Sequence, residues 1–181
     1  MPSRLMKKLM LLTLLVIAGN LTLAQYKPVD QGSALQFTIQ NFGFDVTGTF
    51  TGLKGSIKFD PQNPTESAFD VTIDANTVNT DNSLRDSHLR DDSYFDVKKY
   101  PVIHFVSTKV TGKNGAFVIS GKLTIKKQTK DISFAFTASP ANDGYLFKGS
   151  FKINRKDFDV GGTSTISNSL EVALNILAKK I

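Results

Sequence analysis

The chain has 181 residues, a formal net charge of +6 and no cysteine. The lack of cysteine excludes disulfides, thiol catalysis and thiolate metal sites, so the fold must be stable without covalent cross-links. Arg4, Lys7 and Lys8 supply three of the positive charges, and the first 24 residues hold no acid, so residues 25–181 carry +3. A net charge this small favours neither nucleic acid nor an anionic membrane surface as a partner.

The first 24 residues have the layout of a secretory signal peptide. The three basic residues precede an apolar run over residues 9–18, and Thr22 and Ala24 are small residues three and one positions before a cleavage site. The run is too short for a membrane anchor, which needs about 20 apolar residues. We predict cleavage after Ala24, which leaves one domain at residues 25–181.

Most of residues 25–181 alternate between apolar and polar side chains, which predicts strands with one buried face. The apolar members of these segments are Leu35, Phe37, Ile39, Phe69, Val71, Ile73, Phe117, Ile119, Leu123, Ile125, Ile132, Phe134, Phe136, Phe147, Phe151, Ile153, Leu170, Val172, Leu174 and Ile176. Between residues 42 and 59 the apolar positions change from even to odd numbers at Thr51-Gly52, which predicts a bulge or turn there.

Turn signals at residues 60–64, 111–115 and 141–144 separate the predicted strands. The count is about eight strands with one polar face each. We therefore predict an all-β fold, a single antiparallel eight-stranded barrel, because closure hides the edges of such a sheet. A two-sheet sandwich is the competing architecture on the strand pattern alone.

Residues 76–101 are long, charged and without clean alternation. Segments of this length in compact domains are usually functional or disordered. Ser83-x-x-Asp86 resembles a capping box, which predicts a short helix. The apolar groups available for packing are Tyr94, Phe95 and Tyr100, so disorder is not expected. We predict a packed flap over one barrel end, with a plain structural connection as the alternative.

The flap and its surroundings also carry a set of motifs. They are Arg85-Asp86-Ser87-His88-Leu89-Arg90, Tyr94-Phe95-Asp96-Val97 and Lys99-Tyr100-Pro101-Val102-Ile103-His104-Phe105, together with residues 46–50, 55–61, 121–125, 129–131 and 151–158. Taken in chain order, these motifs resemble those of the YceI-like family, and they span most of the chain after Asp30. One departure is Lys126-Lys127-Gln128, where a glycine is expected in the turn.

The resemblance implies a lipocalin-like barrel in the bacterial periplasm, or secreted beyond it. Family members are described as binding polyisoprenoid chains, including quinone tails, in an elongated apolar pore. The expected function is therefore a non-catalytic binding or carrier protein for a long apolar lipid, with no cofactor. A Phe-rich interior suits this role, since all 14 phenylalanines follow Ala24.

The candidates for the pore wall lie on the more apolar face of each predicted strand. They are Phe37, Ile39, Val46, Phe50, Ile57, Phe59, Val71, Ile73, Ile103, Phe105, Leu123, Ile125, Phe134, Phe136, Phe151 and Ile153. An inward Phe is more often part of a packed core than of a ligand wall, because small barrels can be fully packed. The family resemblance favours a ligand-lined pore over a packed core for the barrel as a whole. We expect about half of these residues to contact a bound chain.

The flap motif supplies the second group of candidate site residues. They are Arg85, Asp86, His88, Leu89, Phe95, Tyr100 and Pro101. We expect Arg85 and Asp86 to form a structural ion pair or cap that fixes the flap.

A secreted hydrolase using the region 85–88 is the alternative function. Ser87 lacks a G-x-S-x-G elbow, so no catalytic residue is assigned. Zinc needs three or four ligands, whereas this chain offers His88 and His104 and no thiol, so no metal site is predicted. His104 is expected to point away from Ile103 and Phe105.

Lysines on the polar strand faces raise the question of macromolecular partners. They are Lys122, Lys126, Lys148 and Lys152. A stacking platform for single-stranded nucleic acid needs exposed aromatics beside basic groups, and here the aromatics lie on the opposite face. We therefore predict no nucleic-acid partner, while a transient membrane contact through these lysines stays open. The sequence does not indicate an oligomeric state.

Overall fold

The computed structural model describes residues 24–163 and 165–181. The predicted signal peptide, apart from Ala24, lies outside these residues. Within the described ranges, no helix has the length and apolar character needed to cross a membrane.

Nine strands of the described chain form one antiparallel sheet. They are β1 (Gln25–Asn41), β2 (Phe44–Phe50), β3 (Lys54–Lys58), β4 (Ala68–Asp74), β5 (Val102–Lys113), β6 (Ala116–Ile125), β7 (Gln128–Ala141), β8 (Gly144–Asn154) and β9 (Ile166–Lys180). From β3 to β9 each strand pairs with the next, β9 pairs back onto β1, and the start of β1 pairs with β3. The sheet thus closes into a barrel of eight strands, with β2 as an extra strand on the second half of β1. The predicted barrel is confirmed, and the two-sheet sandwich is wrong.

The predicted phase break separates β2 from β3. Gly52 lies between these strands with φ +77°. The carboxylate of Asp30 in β1 accepts hydrogen bonds from the backbone N–H groups of Gly52 (3.1 Å) and Leu53 (2.9 Å). These bonds hold the irregular residues against β1. The apolar face then returns to the interior at Ile57, which is buried.

Two hairpin turns differ in detail from the sequence prediction. The β5–β6 turn is only Asn114-Gly115, with φ of +55° and +82°, because residues 111–113 belong to β5. In the β6–β7 turn, Lys126 adopts φ +54° where a glycine was expected. The ammonium group of Lys126 donates to the backbone oxygens of Asp92 and Asp159, both at 3.1 Å. These contacts favour a lysine at a position whose backbone would suit glycine.

An aromatic cluster fills the barrel end opposite the flap. Phe59 follows β3, is 1% exposed, and makes edge-to-face contacts with several rings. Their centroids lie 5.1–6.1 Å from that of Phe59, and they belong to Phe69, Phe117, Tyr145 and Phe147. This cluster closes the end of the barrel.

In the turn that follows Phe59, the pKa of the Asp60 carboxyl is lowered, chiefly because the Asn63 side chain donates a hydrogen bond to it.

The flap contains the predicted helix, α1 (Ser83–Arg90), but its cap differs from the predicted one. Asn82, not Ser83, is the N-cap, and its side-chain oxygen accepts from the Arg85 N–H at 3.0 Å. Ser83 is the first helical residue. Asp86 does not complete a capping box, because its buried carboxylate binds Thr80 instead. Short 3₁₀ helices also occur at Pro64–Glu66, Ala75–Thr77 and Arg155–Phe158.

Candidate binding cavity

A cavity of about 550 Å³ occupies the barrel between the aromatic cluster and the flap. Its wall consists mainly of the inward-facing side chains of the strands, because successive residues of a strand point to opposite faces. Cavities of roughly 300–1,000 Å³ with apolar walls are typical of small-molecule sites. The cavity is therefore the main candidate for a functional site.

The structure brings the predicted wall residues together, with one exception. Those that border the cavity are Phe37, Ile39, Val46, Phe50, Ile57, Val71, Ile73, Ile103, Phe105, Leu123, Ile125, Phe134, Phe136, Phe151 and Ile153. Phe59 does not border it, because this side chain lies inside the aromatic cluster at the closed end. Contact of these residues with a ligand stays a prediction.

The wall also includes residues that the sequence candidates missed. They are, among others, Leu35, Ile119, Ile132, Phe147, Leu170, Val172, Leu174 and Ile176. Four of them lie on β9, whose alternation does mark an apolar face. That β9 forms a full side of the cavity follows from its pairing with both β8 and β1. The alternation of apolar and polar residues in this strand is therefore a sequence signal that marks these wall positions.

The flap covers the other end of the cavity with a mixture of apolar and polar groups. Phe95 packs edge-to-face on Phe50 of β2, with ring centroids 5.5 Å apart. Leu84 is 67% exposed and still borders the cavity, so it lies at the rim. The predicted flap residues that border the cavity are Arg85, His88, Leu89 and Phe95.

Tyr100 and Pro101 of the predicted flap motif stand apart from the cavity. The ring of Tyr100 lies under the Lys99 ammonium, 5.3 Å from its centroid. The carbonyl oxygen of Pro101 accepts from the Ala75 N–H at 2.8 Å, which ties the end of the flap to its beginning. Their role in the structure is to close the flap segment.

Arg85 and Asp86 are joined through Thr80, which corrects the predicted pair. The Asp86 carboxylate accepts from the backbone N–H (2.9 Å) and the hydroxyl (2.6 Å) of Thr80. The Arg85 guanidinium donates to the hydroxyl and the carbonyl oxygen of the same residue, both at 2.7 Å. Arg90 donates to the carbonyls of Asn76 (2.8 Å) and Val78 (2.7 Å). These bonds fix α1 to the preceding chain.

The two histidines lie in different places. His88 is exposed at the rim of the cavity. His104 faces outward, as predicted, with Nε2 2.7 Å from the Asp70 carboxylate on the neighbouring strand. Within residues 24–163 and 165–181, no group of three or more His, Cys, Asp or Glu is placed to hold a metal ion.

Arg155 is a structural residue that the sequence candidates also missed. It is 4% exposed, and its guanidinium donates to backbone carbonyls of the segment between β8 and β9 and of the first residues of β9. The acceptors include Val160 (2.8 Å), Gly161 (3.0 Å), Ile166 (3.1 Å) and Ser167 (2.9 Å). Arg155 thereby holds this segment beside the cavity, which it borders.

Comparisons with known proteins agree with this architecture. The family model of the YceI-like domain matches residues 26–178. A UPF0312 protein of Photorhabdus laumondii is 38% identical over 156 residues, 81% of each chain.

Solved structures show the same fold. The YceI protein of Campylobacter jejuni is 31% identical with a TM-score of 0.65, over 74% of this chain and 84% of that one. A polyisoprenoid-binding domain from Saccharophagus degradans is 17% identical with a TM-score of 0.72, over 88% of this chain and all of that one. By its family match and its relatives, the chain belongs to the YceI-like family.

Proposed function

We propose that the protein is a non-catalytic carrier that holds one long apolar lipid, a polyisoprenoid or the tail of a quinone, in the barrel cavity. The observation that carries the proposal is the apolar cavity of about 550 Å³ between the aromatic cluster and the flap. Membership of the YceI-like family and a fold neighbour described as polyisoprenoid-binding support the same ligand class.

Burial of the chain drives this binding. Apolar surface removed from water contributes about 25 cal/mol per Å², before the costs of association are subtracted. A wall with few polar groups cannot select a ligand by hydrogen bonds, so length and shape are the selective features. The closed end at Phe59 limits how far a chain can enter, while Arg85 and His88 at the rim would lie nearest its polar end.

The carrier role includes export. The layout of residues 1–24 supports cleavage after Ala24 and a periplasmic location, where a carrier would shield an apolar lipid from water. N-terminal sequencing of the protein recovered from cells tests this part. A mature chain beginning at Gln25 is expected, and a retained N-terminus would contradict it.

Native mass spectrometry of the mature protein, purified without detergent, tests the carrier role. We expect an adduct of one isoprenoid lipid per chain, identified after solvent extraction. The variant Val71→Trp places a large ring in the cavity wall and should lose the adduct. Val118→Trp is the matched control, because Val118 is exposed on the outer face, and it should keep the lipid.

A second wall variant controls for the case in which Val71→Trp loses the lipid because it is misfolded. Leu174→Trp obstructs the cavity from β9, and circular dichroism with urea unfolding establishes that each variant is folded. A folded wild-type protein that carries no lipid and takes up no added polyprenol would refute the proposed function while leaving the fold unaffected.

A further inference from the structure

The pairing of β7 with β8 stops halfway along the barrel. Their ladder runs from Ala141↔Gly144 to Phe136↔Gly149 and goes no further. Both strands continue, since β7 pairs with β6 as far as Gln128 and β8 pairs with β9 as far as Asn154. Residues 129–135 and 150–154, all within the described chain, therefore face each other without ladder pairs, and we call this region the β7–β8 seam.

Side chains, not backbone hydrogen bonds, bridge the seam. Phe134 and Phe151 would be direct partners if the register continued, and their rings stack with centroids 4.6 Å apart and planes at 25°. Ile132 and Ile153 also border the cavity from the two sides of the seam. The cavity wall at this place is thus one layer of apolar side chains.

The outer face of the seam is open to water. Ser133 and Ala135 on β7, and Ser150 and Lys152 on β8, are exposed. Water can therefore satisfy the unpaired backbone groups of both strands, so that their separation leaves no buried polar group without a partner. At the flap end, the Gln128 amide donates to the Asp159 carboxylate at 2.6 Å and limits the length of the seam.

Two other irregular places in the wall, the break between β2 and β3 and the edge of β2, are closed by polar contacts. The break between β2 and β3 is held by Asp30, as described above. The edge of β2 pairs with the flap, since Thr49 and Asn79 exchange backbone hydrogen bonds of 2.8 and 3.1 Å. The bonds of Thr80 and Arg90 fix the rest of the flap. By contrast, the seam can open without breaking a strand ladder or a hydrogen-bonded side-chain network among the described residues.

We propose that the β7–β8 seam is a lateral portal through which a long apolar chain enters and leaves the cavity. The proposal rests on the proposed function, because it concerns the path of that ligand. A chain threaded end-on through the rim must pass its whole length through that one opening, one end first. A chain that enters through the seam passes between Phe134 and Phe151 segment by segment, so less apolar surface meets water at any time.

A reversible cross-link over the seam tests the portal. The protein has no native cysteine, so Ser133→Cys with Lys152→Cys introduces the only two thiols. A short bis-methanethiosulfonate reagent joins them without the geometric demands of a direct disulfide. The matched control is Ser139→Cys with Leu146→Cys, an outward-facing pair deeper within the intact β7–β8 ladder.

Loading is followed by native mass spectrometry after lipid-free protein is mixed with phosphatidylcholine vesicles that contain solanesol, a polyprenol of nine isoprene units. We expect the seam cross-link to slow loading at least tenfold, reductant to restore the rate, and the ladder cross-link to leave it unchanged. Loading of both cross-linked proteins at the uncross-linked rate, or equal slowing of both, overturns the portal and leaves the carrier role in place. Failure of the wild-type protein to load overturns both proposals.

Discussion

At the residue scale, Thr80 organises the flap although no sequence motif marks it. Its backbone and hydroxyl groups bind both Asp86 and Arg85, so two adjacent charged side chains of α1 are held by one neutral residue. Asp86 is 6% exposed, and a buried carboxylate is stable only when its oxygens accept hydrogen bonds. The charged motif in the flap is thus explained by its partners inside the flap.

Replacement of Asp86 should destabilise the protein through Thr80. Asp86→Ala leaves the buried N–H and hydroxyl of Thr80 without their acceptor, and we expect a loss of about 1–3 kcal/mol in the free energy of unfolding in urea. Asp86→Asn retains an acceptor oxygen and should lose less. Ser87→Ala, at an exposed neighbouring position, is the control and should change little. Equal losses for all three variants would contradict this role of Asp86.

At the element scale, the short strands β2 and β3 depend on glycines where the backbone comes close to its neighbours. Gly55 has φ +126°, and a Cβ at this position would lie 2.1 Å from the carbonyl oxygen of Asp70 on β4. Gly43 has φ +82° in the β1–β2 turn, and a Cβ there would meet nothing within 4 Å. The two positions share a positive φ and differ in the space around them.

Alanine substitutions at Gly43 and Gly55 separate the cost of backbone strain from the cost of a steric clash with the neighbouring strand. Gly43→Ala should cost about 1–2 kcal/mol of stability, the strain of a left-handed conformation alone. Gly55→Ala should cost at least about 1 kcal/mol more, because β3 and β4 must also move apart. Urea unfolding measures both, and hydrogen exchange should show the extra loss in the β3–β4 ladder. A similar loss for both variants would mean that the contact with Asp70 is relieved at little cost.

At the scale of the whole molecule, the barrel has one end filled by aromatic rings and one end covered by the flap. The filled end supplies stability, since rings in edge-to-face contact contribute about 0.5–1.5 kcal/mol per pair beyond their buried area. The remaining interior forms the cavity, whose wall lacks packing partners when it is empty. A bound chain would supply those contacts and should stabilise the entire barrel.

Thermal unfolding of lipid-free and loaded protein measures this coupling. At a ligand concentration of about 100 times Kd, binding contributes about 2.7 kcal/mol, which corresponds to a rise in Tm of about 5–10 °C for a domain of this size. Val71→Trp should show no rise with the same lipid, and Val118→Trp should show the full rise. A rise in Val71→Trp equal to that of the wild type would place the lipid outside the cavity.

The strands, their inward faces, the irregularity at Thr51-Gly52 and the short helix in the flap are all predictable from the order of residues along the chain. These features depend on local rules, because side chains alternate along a strand and positions near a turn need particular residues. The motifs around Arg85 and Tyr100 also indicated the family. Alternation gives the face of a residue but not its depth in a barrel, so it assigned Phe59 and Phe50 to the same wall.

Which inward residues fill the closed end and which border the cavity becomes clear from the folded barrel alone. That division depends on pairs distant in sequence, above all the pairing of β1 with β9 that closes the barrel. The same holds for the link from Asp86 to Thr80 and for the seam between Phe134 and Phe151, where two regular strands separate. These features arise from distances between elements, and no local pattern of residue types specifies such distances.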